Sequence, residues 1–167
     1  MATASLTSDE RALLDSARRA TLGTIGEDGR PRLVPVCFVL VGEALFTPID
    51  EKPKATADPR DLARIRDIER RSDVTILVDR WDEDWTRLAW LRIDGQATLV
   101  EPDASILAGL RAKYPQYRDH DLERRPLIRI AILRTRSWPA VSDRGTGRPP
   151  PGAGSGSSSS PGGTRPR

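Results

Sequence analysis

The sequence predicts an α+β domain that is mainly β: a six-stranded antiparallel barrel with three helices packed outside it. Runs of alternating or β-branched apolar residues recur along the chain up to Trp138, which is strand periodicity. Most of these runs are joined by short turns, so neighbouring strands pair antiparallel. There is no G-x-G-x-x-G and no regular β-α-β-α alternation, which excludes the common nicotinamide-binding sheet.

The elements follow in order. Thr7 caps a helix over "TSDERALLDSARR", with Glu10 as its capping-box partner and Leu13, Leu14 and Ala17 as the apolar stripe. "ATLGTIG" and "PRLVPVCFVLV" read as two strands about a tight turn, where Asp28-Gly29 supplies the positive backbone angles. Gly42-Glu43 turns the chain into a third strand, "ALFTPI". Asp58 and Pro59 open a second helix, whose buried edge is Leu62, Ile65 and Ile68. "DVTILVDR" is β-branched enough for a central strand, and "RLAWLRIDGQATLVE" is a long strand with a bulge expected at Gly95. Pro102 opens the third helix, and "PLIRIAILRTRSW" is the last strand, with Ile128, Ile130 and Ile132 on one face.

Length and charge narrow the function. At 167 residues the chain fits one domain, expected over residues 1–139. Residues 140–167 are rich in Gly, Ser, Pro and Arg, with almost nothing to bury, and are expected to be a disordered tail. Four arginines against one acid in that tail account for the whole net charge of +3. The body is therefore neutral and offers no electrostatic footprint for nucleic acid. A single cysteine, Cys37, excludes an internal disulfide, and a single histidine, His120, leaves little for a zinc or copper site. No apolar run reaches the ~18 residues that span a bilayer. "MATASLTSDE" has neither a basic head nor an apolar core, so a cytoplasmic location is expected.

The chemistry concentrates in two places. The chain uses arginine for nearly every positive charge, yet two of its three lysines, Lys52 and Lys54, flank Pro53 at the end of the third strand. Proline holds the backbone between them, and lysine meets phosphate as a mobile point charge. A phosphate or carboxylate clamp and an ordinary charged loop both fit these charges. Trp81, Trp85 and Trp90 lie within ten residues, suited to a planar ligand or a partner subunit, while core packing is the alternative for Trp90. Arg87 and Arg92 share that stretch and either hold anions or pair with Asp82 to Asp84. Cys37 reads as a buried, inert thiol and His120 as a surface residue. With no metal set and no nucleophile motif, redox chemistry on a bound cofactor is the enzyme reading that remains.

"ATLGTIGEDGRPRLVPVCFVL", "LFTPIDEKPK" and "RIRDIERRSDVTILVDRWDEDWTRLAWLRIDGQATL" resemble the pyridoxamine-phosphate-oxidase-like split β-barrel proteins, the FMN-binding type of barrel. The similarity is greatest to the branch that uses the deazaflavin coenzyme F420, and it runs over roughly residues 6 to 138. It implies a homodimer with the cofactor in a groove between two barrels, and hydride transfer to a small-molecule substrate. Lys52 and Lys54 are then the tail-binding residues, with Arg66 a further phosphate contact. Thr47, Pro48, Ile49 and Asp50 pass along the cofactor, with Pro35 and Val36 behind it. Trp85, Arg87 and Trp90 come from the other subunit or line the substrate side. No catalytic side chain is implied. The same fold carrying FMN, or a module that binds cofactor without turnover, is the alternative. Two departures from the family pattern stand out. Asp67 occupies a position where asparagine is common, and low-complexity sequence follows Trp138.

Overall fold

A computed structural model describes residues 4–49 and 62–139 of the chain. The predicted cap at Asp58 and Pro59, the lysine pair and the tail lie outside the described residues. In chain order the elements are α1 (Ser8–Ser16), β1 (Ala20–Ile25), β2 (Pro31–Val36), β3 (Val39–Val41), β4 (Ala44–Pro48), α2 (Ala63–Arg70), β5 (Asp73–Arg80), β6 (Ala89–Val100), α3 (Ala104–Lys113) and β7 (Leu127–Trp138). Short 3-10 turns lie at Trp85–Arg87 and Pro115–Asp119.

The local signals act as the sequence implies. Thr7 Oγ1 accepts from the Glu10 N–H and Glu10 Oε2 accepts from the Thr7 N–H, closing the capping box at the start of α1. Gly29 and Gly42 take positive φ in the two hairpin turns. α2 begins at Ala63, with Leu62 at its cap position and no side-chain cap bond. The third helix does not open at Pro102 as expected: α3 starts at Ala104, and Asp103 caps it by accepting from the Ser105 N–H, which leaves Pro102 ahead of the cap.

All strand pairs are antiparallel, in the order β2-β1-β5-β6-β7-β4-β3. The described residues form seven strands where six were expected. The difference arises in "PRLVPVCFVLV", which divides at Cys37–Phe38 into β2 and β3. There the Tyr114 hydroxyl accepts from the Phe38 N–H at 3.0 Å and donates to the Phe38 carbonyl at 2.9 Å. One side chain thus replaces the ladder partners that Phe38 lacks, and leaving that buried pair unmet would cost about 1–3 kcal/mol per group. Because β2 and β3 are the two sheet edges yet consecutive in the chain, the ring is completed by Cys37–Phe38 and not by hydrogen bonding. This is a split barrel.

Two apolar clusters fill it. The larger joins Leu22, Ile76, Leu91, Ile93, Ile130 and Ile132 of the strands to Leu14 of α1 and Ile65 of α2, so these helices pack onto the barrel core. The second lies between the other face of β3–β4 and α3, around Phe46, Leu110, Tyr114 and Tyr117. β4 is therefore covered on both faces, with Leu45 and Ile49 in the first cluster and Ala44 and Phe46 in the second. Cys37 packs against the second cluster and is half-buried, less enclosed than expected. His120 is also half-buried, its ring set edge-on to Tyr117.

Asp67 is the most deeply buried acid among the described residues, 1% exposed. It accepts from Thr24 Oγ1 at 2.9 Å and from the Arg32 guanidinium at 3.2 Å, tying α2 to the β1–β2 hairpin. Arg70–Glu27 adds a second tie at the surface. Here the departure from asparagine places a charge where an arginine meets it.

Candidate functional site

Among the described residues α1 borders the outer face of the strands β2-β1-β5-β6-β7 only at its β6–β7 end, and three cross-strand rows of side chains lie at its centre. Residues directly opposite in an antiparallel ladder share a face. The first row is Asp79, Trp90 and Trp138; the second is Pro35, Thr21, Leu77, Arg92 and Arg136; the third is Leu33, Gly23, Thr75, Asp94 and Arg134. Leu33, Leu77, Trp90 and Trp138 are all exposed large apolar residues. The alternate positions on the same strands, such as Leu22, Ile76, Leu91 and Ile93, are at most 1% exposed.

A bulge creates the β7 end of this face. Asp94 pairs with Arg134 and Gly95 with Ile132, so Leu133 is the extra residue. Ile128, Ile130 and Ile132 point inward, and strict alternation would send Arg134, Arg136 and Trp138 inward too. The extra residue reverses them. The irregularity falls at the predicted Gly95, although the inserted residue is on the opposing strand. Gly95 is required there, because a Cβ would lie 2.5 Å from the Ala131 carbonyl oxygen.

Asp94 is the charge hub of the face. It accepts from Arg134 Nε and Nη2 at 3.1 and 2.8 Å and from Thr75 Oγ1 at 3.2 Å, and it lies 3.5 Å from Arg92 Nε. Burial raises its pKa, but the Arg134 bond, the Arg92 charge and the Thr75 bond outweigh that and hold it below the usual carboxylate range. A groove of about 540 Å³ runs past Gly23, Leu33, Thr75, Asp94 and Arg134. Gly23 forms part of its floor, and a Cβ there would press Leu33 Cδ2 at 3.2 Å. A second depression of about 440 Å³ lies between α1 and the ends of β6 and β7, lined by Leu13, Arg80, Trp90 and Trp138.

The structure brings Pro35 and Trp90 onto one surface, Pro35 exposed in the second row and Trp90 in the first. Trp90 is 38% exposed, so it is a surface aromatic and not a core residue. Trp85 and Arg87 occupy the turn between β5 and β6, where Arg87 Nε pairs with Asp82 at 3.2 Å and the Arg87 carbonyl accepts from Arg80 Nε. Val36, by contrast, points inward and shares the first cluster with Ile49. Thr47, Pro48 and Ile49 are buried within the subunit, so their side chains support the strand that leads to Asp50. Arg66 is exposed on α2. Asp50, Lys52 and Lys54 lie outside the described residues. Trp138 and Arg136 were not singled out from sequence, since their orientation depends on the bulge. No group of His, Cys, Asp and Glu suited to a metal occurs among the described residues. Nor is any helix among them long and apolar enough to cross a membrane.

The family model described as pyridoxamine 5'-phosphate oxidase matches residues 6–139. No curated protein matches the sequence. Among solved structures, the conserved hypothetical protein Rv2991 from Mycobacterium tuberculosis is similar at a TM-score of 0.65 and 19% identity, covering 87% of this chain and 94% of that one. The heme storage protein HutZ from Vibrio cholerae is similar at 0.60 and 18%, over 81% and 94% of the two chains. A protein described as an F420 reductase is similar at 0.56 and 19%, over 75% and 94%. At these identities the likeness is one of fold.

Proposed function

Because the chain belongs to the pyridoxamine 5'-phosphate oxidase family, we propose that it is an oxidoreductase that moves a hydride from reduced coenzyme F420 to a small organic acceptor. It works as a homodimer, with the cofactor between the two copies. The observation that carries this reading is the open sheet face on which Pro35, Leu77, Arg92, Arg136 and the Trp90–Trp138 pair lie together. Its groove fits a flat heterocycle. The floor lacks a side chain at Gly23, where a Cβ would crowd Leu33, and Arg71, Arg92 and Arg134 stand around it. The likeness to an F420 reductase and the "DEKPK" and "WDEDW" segments favour the deazaflavin over FMN.

In this reading Lys52 and Lys54, with Arg66, hold the phosphate-bearing tail, while the backbone from Thr47 to Asp50 and Pro35 lie along the ring. Val36 stiffens that wall from inside. Trp85, Arg87 and Trp90, supplied across the dimer, bound the acceptor side. When bound, the reduced deazaflavin supplies the hydride. The protein's own residues align the reactants and keep water out, contributing proximity and a dry surface in place of acid–base groups.

Anaerobic equilibrium binding with F420 and with FMN tests the reading, followed by turnover of reduced F420 against a panel of quinones, enones and nitroaromatics. We expect F420 to bind and at least one acceptor to oxidise it. Exclusive FMN binding returns the protein to the flavin branch of the same fold, and tight F420 binding without turnover makes it a binding module. Lys52→Ala with Lys54→Ala should weaken F420 binding several-fold to a hundredfold, about 1–3 kcal/mol. Unchanged affinity in that double variant removes the lysines from the site.

A further inference from the structure

We infer that the β6–β7 end of the open face is a recognition site for a planar aromatic acid, with the Trp90–Trp138 pair as its stacking surface and Arg136 as its anion contact. Arg92 and Arg136 are directly opposite each other on adjacent strands and face the same way. Like charges so placed repel. The acid beside them is already engaged, since Asp94 takes two bonds from Arg134, one from Thr75 and the approach of Arg92. Arg92 Nε is enclosed without a hydrogen-bond partner, and among the described residues Arg136 has no carboxylate partner. Two other acids lie on the face, Asp73, which pairs with Arg71 at 3.4 Å, and Asp79. Asp79 lies opposite Trp90 on β5, on the far side of β6 from Arg136, and forms no ion pair with either arginine among the described residues. At this end of the face three guanidiniums therefore stand against one engaged carboxylate and one remote one.

The aromatic half adjoins this charge. Trp90 and Trp138 are cross-strand neighbours, 38% and 46% exposed. Large indoles held side by side on a rigid sheet offer flat apolar area at little ordering cost. Trp90 stands between two depressions of about 440 and 420 Å³, the first containing Trp138 and Arg80, the second Arg136. Successive rows on one face are about 7 Å apart, so a carboxylate on the edge of a ring seated on the indoles comes within hydrogen-bond reach of a guanidinium in the next row. A conjugated acid can thus lay its ring on the indoles while its carboxylate meets Arg136 and the open edge of Arg92. Glu10, which lines both depressions, is occupied by the Thr7 N–H in the helix cap, and Asp9 lines the first depression, away from Arg136.

As the acceptor's site this assignment rests on the reductase reading, but the binding itself is measured without cofactor, so the two can fail separately. The probes are 2-naphthoate and its neutral counterpart 2-naphthalenemethanol, titrated calorimetrically into the full chain at low and at high salt. We expect the acid to bind at least about tenfold tighter than the alcohol at low salt, with the margin shrinking as salt rises. Arg136→Gln should bring the acid down to the affinity of the alcohol while leaving the alcohol unchanged. Trp138→Leu should weaken both probes, and Arg118→Gln, on the Pro115–Asp119 turn, should change neither. Equal affinity of acid and alcohol for the native protein overturns the proposal, whatever covers the face instead. So does a preference for the acid that survives Arg136→Gln.

Discussion

Lys113, the only lysine outside the Lys52–Lys54 pair, sits in a setting unlike a surface charge. Its Nζ donates to the Leu14 carbonyl at 2.7 Å and stands 3.8 Å above the Phe38 ring, so the end of α3 is pinned to α1 and to the break between β2 and β3. Burial pushes its pKa from 10.5 down to about 8; Asp15 and Cys37 oppose that and Arg18 adds to it. Below pH 8 the amine is charged in both folded and unfolded chains, and the folded chain bears the cost of burying it. Between about 8 and 10.5 the unfolded chain holds the extra proton, so this residue makes stability rise with pH, and above that window the cost is gone. Tyr114, pushed by burial up to about 12, has the opposite slope above pH 10. Lys113→Met removes the titration. The melting temperature of the native protein relative to the variant should therefore climb from pH 7 to pH 10 in parallel thermal scans. A constant difference across that range would mean the amine is solvated in the folded state.

At the scale of elements, what could be read from the chain was whatever depends on periodicity and local chemistry. The capping box at Thr7 and Glu10, the turns at Gly29 and Gly42, and the inward set Ile128, Ile130 and Ile132 are all short-range signals, and each acts as expected. What could not be read depends on contacts distant in sequence. The division of β2 from β3 needs Tyr114, 76 residues from Phe38, and the tie between α2 and the first hairpin needs Asp67, Arg32 and Thr24 together. The candidate site suffers most from this, because a one-residue insertion at Leu133 decides which way Arg136 and Trp138 face, and alternation alone gives the reverse. Gly95 makes that insertion possible. Gly95→Ala drives a methyl against the Ala131 carbonyl oxygen of the neighbouring backbone, where no side chain can move aside. Chemical denaturation should register a loss of about 1–3 kcal/mol. An unchanged midpoint would show that β6 and β7 can part locally without cost, and the bulge would lose its role in fixing the face.

For the whole molecule the open sheet face sets the question of assembly. Leu33 is 69% exposed and Leu77 39%, both on the face that carries Pro35 and the tryptophan pair, whereas the opposite faces of the same strands are sealed in the core. A row of large apolar side chains on a rigid sheet is what a second copy of the chain would cover, and a two-fold contact would bring each copy's Trp90 toward the other's groove. Sedimentation equilibrium should then give twice the 18.4 kDa chain mass. Replacing Leu33 and Leu77 together with aspartate places two charges at the centre of the contact and should yield monomers. Both side chains point away from the core, so circular dichroism should be unchanged. The decisive comparison is F420 affinity in that monomer. If the cofactor lies between the copies, affinity should fall at least tenfold although Lys52, Lys54 and Arg66 are untouched. A folded monomer that binds F420 as tightly as the native protein would place the whole site within one chain and leave Trp85, Arg87 and Trp90 to act on the copy that carries them.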